Sequence, residues 1–224
     1  MSVSGIARLP DEWREALAGE PRYRADQVFG WVHGKGVTEA GAMTNLSKSL
    51  RAKLEGSLEL GLRLERVHHS DDDTRKLILR IDDESANETV LLPLSKRLDD
   101  ADAAAADTDD EDEGLAPSAR VTQCISTQVG CAMGCVFCAS GIAGLTRHLT
   151  AAEVMAQVLL GRAQLAPHER LRNVVFMGMG EPLHNYDATA RVIRLLTHPE
   201  GLALSPRRVT VSTSGLVPAI DRLG

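Results

Sequence analysis

The sequence predicts an α/β chain in two unequal parts: a small α+β unit over residues 1–98, and the start of a parallel sheet of strand–loop–helix units over residues 119–224. Three observations carry this reading. Apolar residues in the first part switch from a period of about 3.6 to a period of about 2, as helices give way to strands. From Arg120 onward strand patterns alternate with helix patterns. Between the two parts, residues 99–118 are almost purely Asp, Ala and Glu.

In the first part, a helix is expected near 11–18 and another around 24–33, where Val28, Phe29, Trp31 and Val32 supply an apolar face. A third is expected with Asn45 as its N-cap, Leu46, Leu50 and Leu54 on one face, and Gly56 ending it. Leu58, Leu60, Leu62 and Leu64 then alternate with polar residues and Gly61, which is the pattern of a half-buried strand. After a turn at Ser70-Asp-Asp-Asp-Thr74, strands are expected at 76–81 and 88–94. Three helices and a three-stranded antiparallel meander result.

The 99–118 stretch cannot bury enough apolar surface to offset the entropy of ordering it, so a disordered linker or surface loop is expected there. Nine acidic residues and no basic one fall within 99–113, and without them the formal charge moves from −6 to +3. Residues 118–224 hold ten Arg and no Lys against six acidic residues. A mildly basic body with an acidic insert that projects away from phosphate is compatible with an RNA partner.

The second part begins with a strand at 121–129 that feeds a cysteine-rich loop. Thr150-Ala-Ala-Glu153 is a capping box opening a helix to about 164. A buried strand at 173–177 ends in Gly178-Met-Gly-Glu-Pro182, and a helix follows near 188–196. A third strand at 208–211 ends in Ser212-Thr-Ser-Gly215, with a helix beginning at 216. Such alternation implies parallel pairing through right-handed crossovers, with functional loops at the C-terminal ends of the strands.

Those loops carry the chemistry. Cys131-Ala-Met-Gly-Cys135-Val-Phe-Cys138 places three soft thiolate ligands in eight residues. Clusters and structural zinc sites usually close with four protein ligands, so three leave one metal position open to a ligand that is not protein. The alternatives are a zinc knuckle with Cys124 as fourth ligand, or a disulfide pair, which would require export. Gly178-x-Gly180-Glu181-Pro182 lacks the third glycine of a dinucleotide fingerprint and offers a carboxylate, suited to a cationic group. A plain βα turn is its alternative reading, as a helix-capping role is for Ser212, a buried strand cysteine for Cys124 and a solvated strand end for Glu88.

The cysteine spacing, with Phe137 between the last two, is similar to the signature of the radical S-adenosylmethionine (SAM) enzymes. In that superfamily three cysteines hold a 4Fe-4S cluster whose remaining iron chelates SAM. Tyr23-Arg-Ala-Asp-Gln-Val28, Glu88-Thr-Val90, Cys124, Gln128-Val-Gly-Cys131, Asn173-Val-Val, Gly178-Met-Gly-Glu-Pro182 and Val209-Thr-Val-Ser-Thr-Ser-Gly215 occur together and in order. With them the chain resembles the dual-specificity ribosomal and transfer RNA adenine carbon-2 methyltransferases. Leu145-Thr-Arg-His-Leu149 stands where that family has aromatic-x-Arg-Asn-Leu, and the acidic insert is atypical.

The resemblance implies a partial (βα) radical-SAM barrel, truncated after about three βα units and preceded by an RNA-contacting accessory domain. It implies cluster ligation by Cys131, Cys135 and Cys138, and SAM contacts from Gly180, Glu181 and Ser212. It gives Glu88 the role of removing the ring proton, and Cys124 that of resolving an RNA–protein adduct through a disulfide with a methyl-carrying cysteine. The sequence contains no such carrier, so either a fragment of a longer gene product or a truncated protein that has lost its methyl carrier is expected, supporting at most slow, uncoupled SAM cleavage by itself. The implied partners are 23S ribosomal RNA, transfer RNA and an electron donor such as a flavodoxin. A carbon-8 methyltransferase relative, a catalytically incomplete cluster- and RNA-binding fragment, and a zinc-stabilised RNA-binding module are the alternatives. No apolar run approaches the roughly 20 residues that span a bilayer, and the N-terminus lacks a signal-peptide pattern, so a cytoplasmic protein without membrane contact is expected.

Overall fold

The computed structural model of the chain describes residues 3–82, 84–93 and 120–224. The acidic stretch read as a linker, and both part boundaries beside it, lie outside the described residues.

Helix α1 (Pro10–Ala16) starts on a proline and buries Trp13, and the carboxylate of Glu12 accepts from the N–H of Leu9. Helix α2 (Tyr23–Phe29) buries Val28 and Phe29 and runs into a π-helical turn, Gly30–Gly34. The cap of α3 (Lys48–Leu54) is Ser47, whose hydroxyl accepts from Leu50 N–H, and not the expected Asn45. The amide oxygen of Asn45 accepts instead from the indole of Trp31, a tertiary partner that no local rule reveals.

Strand β1 (Leu62–His69) begins four residues later than the leucine alternation suggests. Gly56 and Gly61 both hold positive φ, 77° and 64°, and the chain between them turns, although Leu58 is still buried. Strands β2 (Arg75–Ile81) and β3 (Ala86–Pro93) complete the expected antiparallel meander.

The meander is not a separate sheet. Strand β3 pairs antiparallel with β4 (Arg120–Cys124), which pairs parallel with β7 (Arg170–Phe176), and β7 with β8 (Val209–Val211). One six-stranded sheet, ordered β1-β2-β3-β4-β7-β8, therefore runs through both parts of the chain. The single strand expected at 121–129 is divided: β4 stops at Cys124, and β5 (Gln128–Gly130) forms a hairpin with β6 (Leu145–His148). Between them the short helix α4 (Ala139–Ala143) follows the cysteine loop.

Helices α5 (Ala151–Arg162) and α6 (Tyr186–Thr197) cover one face of the sheet, and α7 (Val217–Leu223) follows β8. The expected capping box is present: Thr150 Oγ1 accepts from Glu153 N–H while Glu153 accepts from Thr150 N–H. Leu77, Leu79, Leu91, Val121, Val174 and Phe176 of the sheet pack with Val154, Met155, Val158, Val192 and Leu195 of the helices in one continuous core. The other face stays open and presents Glu88, Val90, Thr122, Cys124, Asn173 and Val175.

Polar clamps join the N-terminal elements to the βα units. Arg162 donates to the carbonyls of His33 and Gly34, and Arg191 pairs with Glu12. Arg75 of β2 pairs with Glu169 at 2.7 Å, and their side chains are 11% and 8% exposed. Removing one member of a buried pair leaves an uncompensated charge, so Glu169→Ala is expected to cost about 3 kcal/mol in urea unfolding. The exposed pair Arg222–Asp187 sets the scale for comparison, and Arg222→Ala is expected to cost under about 1 kcal/mol.

His33 is fully buried against Phe29, and neither ring nitrogen has a hydrogen-bond partner among the described residues. Burial first, and then the charges of Arg162 and His198, push its pKa down to about 3. The unfolded chain takes this proton at about pH 6.5, so His33 stabilises the fold above that value and the contribution is lost as pH falls toward 3. His33→Phe is expected to remove about 2 kcal/mol of the stability lost between pH 7 and pH 5, measured by denaturation at both pH values.

Candidate functional site

The cysteine loop is pinned at two close crossings. Cys131 N–H donates to Gly144 O at 3.0 Å, and a Cβ on Gly130, which has φ 74°, would lie 1.8 Å from that same oxygen. At the second crossing, a Cβ on Gly141 would lie 2.8 Å from Cys135 N. No side chain fits at either place without moving backbone.

Cys131 is buried, whereas Cys135 and Cys138 are half-buried. Amide N–H groups of Gly141 and then Ser140 favour the Cys138 thiolate and lower its pKa. Val136 and Phe137 stand at the tip, 87% and 89% exposed.

Among the described residues, no three His, Cys, Asp or Glu side chains are grouped closely enough to hold a single metal ion. The structure does not bring Cys124 to the loop as a fourth ligand: it lies in β4, in register with Val90 and Val175, and its carbonyl accepts from the Thr89 hydroxyl. Three thiols on one loop, with no fourth His, Cys, Asp or Glu grouped with them among the described residues, suit a cluster that keeps one iron for another ligand better than a closed zinc cage. All four cysteines are free, so the expected disulfide is not supported.

The Gly178–Pro182 turn follows β7 and lies directly on residues 125–128. Thr127 N–H and Gln128 N–H both donate to Met179 O, at 2.9 and 3.2 Å. Gly180 has φ 102°, and a Cβ there would sit 2.6 Å from Gln128 Cβ. Glu181 is buried, and its carboxylate accepts from Leu183 N–H at 3.0 Å and from Ser214 N–H at 2.7 Å. Burial is the largest single influence on this carboxyl and pushes its pKa up; donors from Ser214, Leu183 and Thr213 together outweigh it and hold the pKa below the usual value. Each oxygen takes one backbone N–H, the Thr213 and Ser214 side chains donate to the same group, and the negative charge so held suits a cationic partner.

Ser212, expected at a cofactor contact, is exposed just after β8. It is Thr213 and Ser214 that meet Glu181, both in the Ser-Thr-Ser-Gly string, where sequence gave no way to choose among hydroxyls. Gln128, for which the sequence suggests no site role, lies in the same cluster. It is fully buried, accepts from Glu181 N–H at 2.9 Å, and its side-chain amide nitrogen lies 3.0 Å from His148 Nδ1 and 3.1 Å from His184 Nδ1.

Glu88 and Cys124 lie on adjacent strands. Val90 opposes Cys124, and Glu88 is two residues from Val90, so the two side chains are diagonal neighbours on the open face. Glu88 lies 3.5 Å from Lys76 Nζ and is half-exposed. Burial raises the pKa of the Cys124 thiol, partly offset by the Met177 backbone N–H.

A βα sheet with a three-cysteine loop beyond its first parallel strand and a Gly-Glu-Pro turn after the next defines a radical-SAM protein, and residues 125–224 match the model of the radical SAM superfamily. Residues 12–60 match the ribosomal RNA large subunit methyltransferase N-terminal domain. The dual-specificity RNA methyltransferase RlmN of Sorangium cellulosum is 63% identical over 98% of this chain and 60% of its own length. That of Geobacter sulfurreducens is 43% identical over 92% of the chain and 50% of its own length. A crystal structure of a radical SAM methyltransferase from Sphaerobacter thermophilus superimposes with a TM-score of 0.82 at 42% identity, covering 99% of this chain and 60% of that one. Over nearly its whole length the chain is thus similar to the RlmN radical-SAM methyltransferases, and it spans about 60% of the length of the Sorangium relative.

Proposed function

We propose that the protein carrying these residues methylates carbon 2 of adenine in 23S ribosomal RNA and in transfer RNA. The observation that carries this reading is the placement of Glu88 and Cys124 together on the open sheet face, next to the strand ends that bear the cysteine loop and Glu181. Carbon 2 is electron-poor and does not attack the methyl of SAM, so a radical route is required. The cluster, when bound by Cys131, Cys135 and Cys138, supplies the electron that cleaves SAM, delivered by a low-potential donor such as a flavodoxin.

The residues of the chain then have distinct tasks. Glu181, ionised and anchored by backbone N–H groups, orients the SAM amino group, with Gly180 allowing close backbone approach and the Ser212 segment forming the neighbouring wall. Glu88 takes the proton from carbon 2 as the ring regains aromaticity. Cys124 is the thiol nearest that carboxylate along the sheet and acts in product release. Among the described residues no helix is long and apolar enough to cross a membrane, which accords with work on RNA in the cytoplasm.

Mass spectrometry of ribosomal and transfer RNA digests tests the proposal, using a host that lacks its own enzyme and expresses the full-length protein that joins these residues to the methyl-carrying cysteine. 2-Methyladenosine in both RNAs is expected, and 8-methyladenosine or an unmodified adenine would overturn it. Glu88→Gln keeps the shape of the side chain and removes its basicity, so it is expected to lower product at least about a hundredfold while iron content is unchanged.

A further inference from the structure

We infer that Ser126 is a positioning residue that locks the strand carrying Glu88 to the loop carrying Glu181, so that proton removal and SAM binding are set in one frame. This rests on the SAM-binding reading of the Gly178–Pro182 turn. Ser126 is fully buried and belongs to no strand, since β4 has ended at Cys124. Its hydroxyl donates to the carbonyl of Glu88 at 2.7 Å and accepts from the N–H of Met179 at 2.9 Å. One oxygen atom thus joins two segments that the chain separates by about ninety residues.

The serine is itself held by a side chain that imitates a neighbouring strand. Gln157 of α5, also fully buried, accepts from Ser126 N–H through Oε1 and donates to Ser126 O through Nε2, both at 2.9 Å. The backbone at 126 therefore has no freedom to carry the hydroxyl elsewhere. Gly178 completes the arrangement, because a Cβ there would lie 2.5 Å from Ser126 Oγ and 2.8 Å from Ile125 O. These contacts explain why the turn after β7 requires a glycine two residues before Gly180, although the φ of Gly178 is not in the left-handed range.

A purely structural serine would affect stability alone. Gln123 provides the control: it is buried in the same polar cluster, but its hydrogen bonds run to Thr89 Oγ1 and Gln157 O and not to Glu88 or Met179. Cluster-reconstituted wild type, Ser126→Ala and Gln123→Met are compared by equilibrium dialysis of labelled SAM and by amide hydrogen exchange of residues 177–181, at a temperature where all are folded. Loss of the two bonds is expected to weaken SAM binding by Ser126→Ala about tenfold and to speed exchange in that segment. Gln123→Met is expected to lower the melting temperature while binding SAM like wild type.

Equal SAM affinity in wild type and Ser126→Ala would overturn the inference alone, as would a matching loss in Gln123→Met. An iron-loaded wild type that binds no SAM would overturn the cofactor reading with it. If Ser126→Ala does not fold, wild-type exchange still decides: the Ser126 hydroxyl is the acceptor of Met179 N–H, so that amide is expected to exchange as slowly as core strand amides. Exchange at the rate of an exposed loop amide would contradict the lock.

Discussion

Replacing any one of Cys131, Cys135 and Cys138 with alanine is expected to abolish the iron–sulfur absorbance of the anaerobically reconstituted protein, whereas Cys124→Ala is expected to retain it. The asymmetry follows from position. The three cysteines share one loop closed by Cys131 N–H on Gly144 O and by the tight packing of Gly141 on Cys135, while Cys124 is fixed in β4 between Val90 and Val175. A cluster already short of one protein ligand has no spare thiolate, so two cysteines do not hold it. Loss of the chromophore in Cys124→Ala would restore the four-cysteine reading.

Glu181→Ala is expected to have the second largest effect, weakening SAM binding at least about tenfold and destabilising the fold by about 2 kcal/mol. The carboxylate ties the loop after β7 to the loop after β8, and alanine leaves the N–H groups of Leu183 and Ser214 without their acceptor. Glu181→Gln separates the contributions: one amide oxygen accepts a single bond and the charge is gone, so affinity falls nearly as far while less stability is lost. Because its folded-state pKa is depressed, Glu181 contributes stability above the ordinary carboxyl pKa, and that contribution disappears only as pH falls through the lower folded value. SAM binding that depends on this carboxylate is therefore expected to be level from pH 8 to pH 6, measured by dialysis.

Local chemistry was legible in the sequence and long-range satisfaction was not. The Thr150–Glu153 capping box and the meander each depend on residues a few positions apart or on neighbouring strands, and each appears as read. The joining of β3 to β4 crosses the acidic stretch, and no periodicity within either strand announces it. The break in the 121–129 strand has its cause in Gln157, whose amide replaces a strand partner from 31 residues away. Asn45 has a good capping side chain but spends it on Trp31, and the cap passes to Ser47. The types and spacings of Cys131, Cys135, Cys138 and Glu181 mark them as candidates in the sequence, whereas Gln128 and Ser214 meet Glu181 through an amide side chain and a backbone N–H that have no signature.

The central claim is that three thiolates hold a cluster whose last iron takes SAM. Low-temperature electron paramagnetic resonance of the reconstituted, dithionite-reduced protein tests it most directly, recorded with and without SAM. The account predicts about four irons per chain and a reduced-cluster signal whose g-values shift when SAM is added. A protein that takes up zinc in place of iron, or a cluster signal that SAM leaves unmoved, would contradict it.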